Sequence, residues 1–297
     1  MDAGALWEIP MPVVGGYVAG MRPSALAEFP AREKEQVGTM RRRVVIVTGA
    51  SRGIGRSVAL SAARLGADVA LFARSARDLG QLADEIRSLG GMALAIEGDV
   101  GAVQDCKRAV TLTLESFRYL DAIVNNAGTI RPIAPIADAD AAAWLANWRV
   151  NVLGPVQLSQ AAIPHLRASH GRVVNISSGA AEKTFAGWAA YSVSKAGLEH
   201  FTRMLAAEEI AITAVSLRPG AVRTAMQDVI LSEGLRGMPE TEYRAFVRQR
   251  DEGRLISPDV PGRAAAILAL RAPHEWSGQT LHYQDEKVLQ LVEGLME

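Results

Sequence analysis

At 297 residues, with 49% hydrophobic and 22% charged residues, the chain has the make-up of a globule able to build a sizeable core. Lys+Arg and Asp+Glu balance at 32 each, without the basic excess expected of a protein whose main partner is nucleic acid. A single cysteine, Cys106, rules out an intrachain disulfide. The scattered His165, His170, His200, His274 and His282 form no metal-ligand pattern, and no apolar run reaches the length of a membrane span.

Residues 1 to about 42 carry several Pro and Gly without helical or strand periodicity, and read as a flexible extension. Their most apolar stretch, Ile9 to Met21, is broken by Pro10, Pro12, Gly15, Gly16 and Gly20. It also lacks the basic start of a secretory signal, so a cytoplasmic protein is expected. From Arg43 onward the pattern alternates. Val44–Thr48 is a short apolar run, followed by a Gly-rich turn and a helical stretch ending at Gly66. Asp68–Ala73 reads as a strand, and 76–89 as a helix with Leu79, Leu82, Ile86 and Leu89 on one face. Strand 92–97, helix 102–117 and strand 121–125 follow. A long helical stretch over 138–168 is interrupted at Gly154-Pro155. Then come strand 172–177, helix 188–207, strand 211–217, a loop-rich segment to 257, helix 259–271 and a last strand near 279–283. Continuous apolar strands alternating with helices imply a parallel sheet covered on both sides. The expectation is one doubly wound, Rossmann-type α/β domain over 43–297, with its ligand beyond the carboxyl ends of the strands.

The first strand runs into Thr48-Gly49-Ala50-Ser51-Arg52-Gly53-Ile54-Gly55. Glycines between a strand and a helix let the backbone approach a pyrophosphate, and the helix N-terminus adds free N–H groups. An ordinary tight turn would use the same glycines, so the order strand, turn, helix carries the reading. The second strand ends at Ala73, where a fold selecting NAD usually places an acid for the ribose hydroxyls. Arg74 follows it and Arg52 lies in the Gly turn, and two guanidiniums suit a 2′-phosphate, which points to NADP(H). Asp99-Val100 and Asn125-Asn126-Ala127-Gly128, at the ends of the third and fourth strands, fit an adenine and a ribose; singly, each is turn chemistry.

Tyr191 and Lys195 are spaced i, i+4 in a helical stretch and share a face. A free phenol titrates near ~10, and a neighbouring ammonium would bring it down toward useful acid–base range. Asn151 is placed to steady the lysine through water, and Ser178 to hydrogen-bond a substrate carbonyl. The Tyr and Lys alone would suit an ordinary helix. The whole set, however, resembles the classical short-chain dehydrogenase/reductase family. The TGASRGIG turn, the NNAG segment, Asn151, Ser178, YSVSK and Pro219-Gly220 followed by Thr224 stand in the family's order over about residues 43–283. The resemblance implies a catalytic tetrad of Asn151, Ser178, Tyr191 and Lys195. Tyr191 would protonate the carbonyl oxygen, Ser178 orient it, Lys195 lower the Tyr191 pKa and bind the nicotinamide ribose, and Asn151 hold a relay water. It also places the nicotinamide carboxamide near Val222 and Thr224, with Pro219 and Gly220 among the cofactor-binding residues.

Finer features look like the sepiapterin-reductase-like branch, which includes benzil reductases. These are Ala134–Asp140, the run RVVNISSGAA over 172–181, Gly187-Trp188, Leu217–Gly220, the short Glu208-Glu209-Ile210 connection and Gly278–Leu281. Two features depart from that pattern: the N-terminal extension, and Leu281–Asp285 where many relatives carry a glycine pair. Residues 225–256 are expected to form a lid, with Phe185, Trp188 and Met226 as candidate walls of an apolar pocket for a bulky or aromatic ketone or diketone. The expected function is NADPH-dependent carbonyl reduction. An alcohol dehydrogenase working in the oxidising direction and a non-catalytic NADP(H)-binding sensor remain as alternatives. No metal is expected, and the long helices over 138–168 and 188–207 point to a homodimer or homotetramer.

Overall fold

The computed structural model describes residues 41–294, so the extension expected over residues 1–42 lies, but for its last two residues, outside the described part. Seven strands form one parallel sheet in the order β3-β2-β1-β4-β5-β6-β7: β1 (Val44–Thr48), β2 (Asp68–Ala73), β3 (Ala93–Glu97), β4 (Ala122–Asn125), β5 (Arg172–Ile176), β6 (Thr213–Arg218) and β7 (Thr280–His282). The chain builds outward from β1 to β3, then returns to the other side of β1 to build β4 to β7. That reversal between β1 and β4 opens a crevice at the carboxyl ends of the strands.

Strand side chains alternate between two layers, as a period of two requires. Val45 and Val47 of β1 pack with Val58 of α1 (Gly53–Arg64), Leu79 and Leu82 of α2 (Ala76–Ser88) and the alanine-rich α9 (Asp259–Arg271). Ile46, from the same strand, packs on the opposite face with Cys106 and Val110 of α3 (Val103–Phe117), Leu158 of α5 (Gly154–Ser169) and Leu205 of α6 (Ala189–Glu208). Burial on both faces explains why these strands read as unbroken apolar runs.

The helical stretch expected over 138–168 consists of α4 (Ala141–Trp148), a π-helical turn at Arg149–Leu153 and α5. Asp140 caps α4 by accepting from the Ala143 N–H at 3.1 Å. Pro155 sits in the first turn of α5, where its missing N–H costs nothing.

One expectation is corrected. The segment read as loop-rich up to residue 257 contains α7 (Ala225–Gly237) and α8 (Glu240–Asp251). No residue of α8 is fully buried, so it carries no continuous apolar stripe to betray it. A short α10 (Glu286–Glu293), which no periodicity announced, follows β7. It joins the α1–α2–α9 layer through Val288.

Candidate active site

The carboxyl ends of the strands and the α7–α8 segment enclose one continuous cleft of about 2020 Å³. At one end it is lined by the turn between β1 and α1: Gly49, Ser51, Arg52, Gly53 and Ile54. The first turn of α1 has no acidic residue and no side-chain cap, so its N–H groups and positive dipole end face the cleft unanswered. Gly55 does not line the cleft. It is buried beneath the turn, where a Cβ would collide with the Gly49 carbonyl oxygen and the Asn126 side chain.

Arg74 follows the buried Ala73 on the same wall, and Arg52 stands in the turn opposite. Both guanidiniums are exposed and neither pairs with a described residue. Asp99 and Val100 line the next stretch, with Asp99 Oδ1 accepting from the Gly101 N–H at 2.8 Å. An uncapped helix start, two unengaged guanidiniums and a cleft leading away from them fit an elongated ligand with phosphates at this end.

In the Asn-Asn pair the two side chains part. Asn126 Nδ2 donates to the Thr48 carbonyl at 2.9 Å and lines the cleft, together with Ala127 and Gly128. Asn125 turns into the sheet and takes no part in the cleft wall. Its Nδ2 donates to Asn175 Oδ1 (2.8 Å), Asn175 Nδ2 to Thr202 Oγ1 (2.8 Å), and Thr202 shares a hydrogen bond with Ser216 Oγ (2.7 Å). This buried polar chain crosses β4, β5 and β6 at registered positions and fixes α6 to the sheet.

Ser178, Tyr191 and Lys195 meet on the cleft wall, and Asn151 lies just behind it. Ser178 follows β5, and its Oγ accepts from the Ala180 N–H at 3.1 Å. Tyr191 is buried in the first turn of α6 and is hydrogen-bonded to Ser178. Burial pushes the phenol above its ordinary value, and the Ser178 hydrogen bond pulls the other way.

The ammonium of Lys195 donates to the Ile176 carbonyl at 2.7 Å and stands 5.7 Å from the Tyr191 ring centroid. The Ser178 hydroxyl opposes the rise at Tyr191. Burial lowers Lys195 to about 8, against the pull of Glu199.

Asn151, in the π-helical turn, spends its amide on neighbours other than Lys195. Its Oδ1 accepts from the Thr129 N–H (2.8 Å), and its Nδ2 faces the Thr129 carbonyl (2.8 Å), Ser194 Oγ (2.9 Å) and Asn147 Oδ1 (3.0 Å). It thus ties the loop after β4 to α6. A π turn at such a place commonly marks a functional site.

Pro219, Gly220, Val222 and Thr224 form the far wall beyond β6. Phe185, Trp188 and Met226 line the mouth, and Phe246 of α8 joins them. Trp188 stacks on Phe246 (centroids 4.9 Å apart, planes at 28°), lies 4.9 Å from Phe185 and meets Tyr191 edge-on at 6.0 Å. Phe246 escaped the sequence reading because it lies in a charged helix without periodic apolar signal. Arg131 forms a two-pronged ion pair with Glu233 across the same mouth. Among the described residues no group of His, Cys, Asp and Glu is arranged to hold a metal ion, and no helix is long and apolar enough to cross a membrane.

The sequence matches the short chain dehydrogenase family over residues 43–233. It is 32% identical over 268 residues to a benzil reductase, (S)-benzoin forming, of Saccharomyces cerevisiae, covering 83% of this chain and 97% of that one. Among solved structures, a short chain dehydrogenase/reductase from Saccharomyces cerevisiae superposes with a TM-score of 0.80 at 32% identity, covering 84% of this chain and 99% of that one. A 7α-hydroxysteroid dehydrogenase in complex with NADH and 7-oxo glycochenodeoxycholic acid does so with a TM-score of 0.71 at 30% identity, covering 81% and 92%. The family is one of oxidoreductases that bind a nicotinamide cofactor, and the cleft has the shape and donors for one. The chain belongs to the short-chain dehydrogenase/reductase family, with a benzil-reductase-like sequence.

Proposed function

We propose that this protein is an NADPH-dependent carbonyl reductase that turns a bulky, aromatic ketone or vicinal diketone into an alcohol, with Tyr191 as proton donor. The observation that carries this reading is a buried phenol, hydrogen-bonded to Ser178 and one turn from Lys195, beside an aromatic pocket. Burial keeps the phenol protonated, the form a proton donor needs, and Arg52 with Arg74 at the cofactor end favours the reducing direction.

Bound NADPH supplies the hydride to the carbonyl carbon. Tyr191 releases its proton to the carbonyl oxygen, and Ser178 orients that oxygen by hydrogen bonding. Lys195 stabilises the phenolate left behind and holds the nicotinamide ribose. Asn151 fixes the Thr129 loop against α6 from behind the cleft wall. Gly49, Ser51, Arg52, Gly53 and Ile54 cradle the pyrophosphate, and Arg52 and Arg74 take the 2′-phosphate. Asp99 and Val100 flank the adenine, Ala127 and Gly128 the ribose, and Pro219, Gly220, Val222 and Thr224 the carboxamide.

The segment 225–256 acts as the lid, and Phe185, Trp188, Met226 and Phe246 form the aromatic wall. Exposed apolar side chains on the central helices, among them Leu145, Leu153, Val193 and Met204, support a homodimer or homotetramer. The lone, buried Cys106 suits a cytoplasmic compartment.

The test follows NADPH absorbance with aromatic diketones, quinones, simple ketones and pterins, beside Tyr191→Phe. Substrate-dependent consumption that falls by about 10²–10⁴-fold in the variant is expected for a lost general acid. Tight NADPH binding with no turnover of any carbonyl would overturn the reductase, and faster turnover with NADH would overturn the cofactor preference.

A further inference from the structure

Glu199 is buried on α6, four residues beyond Lys195 and on the same face, and the roles assigned above leave it unused. Its Oε1 accepts from Ser177 Oγ at 2.7 Å and from Arg218 Nε at 2.8 Å, and its Oε2 from Arg218 Nη2 at 3.0 Å. Ser177 immediately precedes Ser178, and Arg218 immediately precedes the Pro219-Gly220 turn. The carbonyl that receives Lys195 belongs to Ile176, the residue before Ser177. Taking a carboxylate out of water is costly, and a buried ion pair is weak evidence of stabilisation. This carboxylate, however, joins three separate pieces of the active site.

We propose that Glu199 is a positioning residue for the reaction: its hydrogen bonds hold Ser178 and the Pro219-Gly220 turn in register with Tyr191, and its carboxylate, one turn from Lys195 on the same helix face, acts on the Lys195 side chain. This inference rests on the carbonyl-reductase reading above. The polar groups that act on Lys195 are Tyr191 and Glu199 on its own helix and the Ile176 carbonyl of β5, while Asn151 Oδ1 stands with it beside Gly128; Ser177 and Arg218 reach it through Glu199. Glu182, largely exposed, pairs with Arg218 from the far side. Burial alone brings Lys195 down, and Glu199 is the group that opposes this.

The 297-residue chain has five lysines (34, 107, 183, 195 and 287), few enough to follow by NMR with lysine labelled at the ε-carbon. Glu199→Gln is expected to lower the Lys195 titration midpoint by about one pH unit and to move the alkaline limb of the kcat profile down with it. Arg218→Met is expected to move the midpoint upward, since Glu199 then acts on Lys195 uncompensated. A packing role alone gives no such opposite signs. A Lys195 midpoint unmoved in both variants overturns the proposal. Opposite shifts in a chain that reduces no carbonyl uphold the Glu199–Lys195 coupling and overturn the reductase reading instead.

Discussion

Gly187 and Gly237 meet backbone to backbone: a Cβ at Gly187 would collide with the Gly237 carbonyl oxygen, and one at Gly237 with the carbonyl of Ile133. Gly187 also has φ +82, a conformation that other residues rarely adopt. The close approach seats the end of α7 on the turn that leads into Trp188 and Tyr191, so the substrate mouth and the proton donor share one anchor. Gly237→Ala is expected to displace the α7–α8 segment, costing about 1–3 kcal/mol of stability as an overpacked contact. It should also raise KM for the carbonyl substrate while cofactor binding stays near wild type. Gly80→Ala, in α2 with open space around it, is the control and should stabilise by about 0.5–1 kcal/mol. Denaturant titration and steady-state kinetics of the two variants read both effects, and equal behaviour would show that the contact is not an anchor.

The aromatic mouth gives a second prediction. Phe246 contributes the stacking partner of Trp188, at 4.9 Å, from a helix otherwise rich in charge. Phe246→Ala removes an aromatic contact worth about 0.5–1.5 kcal/mol beyond its buried area. The expected outcome is a roughly tenfold or greater loss of kcat/KM for aromatic diketones with little change for small aliphatic ketones. Equal losses on both substrate classes would mean that Phe246 holds the fold of the segment and does not select substrate.

What the sequence made legible depended on how each element is buried. β1 and β2 were plain because burial on both faces leaves an unbroken apolar run, and α2 because Leu79, Leu82 and Ile86 form a single stripe. The same two-sided burial hid which residue of Asn125-Asn126 faces the cleft. A strand covered on both sides has no alternation to read, and the turn after β4 decides. Asn151 and Gly55, both expected in the site, lie behind the cleft wall, a difference that spacing does not encode. α8 was missed because charged side chains cover it on nearly all sides. Glu199 was missed because its partners, Ser177 and Arg218, are brought to it only by the parallel order of β5 and β6.

Cofactor preference should follow the two guanidiniums. Neither Arg52 nor Arg74 is engaged by a described residue, so each is available to a 2′-phosphate at no cost in existing bonds. A hydrogen bond to a charged group is worth about 1.5–3 kcal/mol, which corresponds to roughly 10- to 100-fold in affinity. Arg74→Ala should therefore raise KM for NADPH by that factor and leave NADH nearly unchanged, because the place that meets the ribose hydroxyls is held by Ala73 in both proteins. Added salt should narrow the wild-type preference, since both charges are exposed. Unchanged kinetics with both cofactors would remove Arg74 from the site.

Lys195 links the chemistry to stability. Its pKa in the folded chain is about 8, below the ordinary lysine value, because burial penalises the ammonium. The charged form is thus disfavoured by folding. The penalty is fully present below pH 8, shrinks as pH rises from about 8 toward the unfolded-state value near ~10.4, and vanishes above it. A shift of this size corresponds to at most about 3 kcal/mol. Lys195→Met removes the penalty and also the hydrogen bond to the Ile176 carbonyl, whose loss returns about 1–3 kcal/mol of cost. The variant should lose turnover yet be about as stable as the wild type at pH 7. The comparison should then move in the wild type's favour toward pH 10, where its lysine is neutral but still bonded. Urea titrations of both proteins at pH 7 and pH 10 read this directly. A stability difference that does not change with pH would mean that the ammonium is better solvated in the cleft than its burial implies.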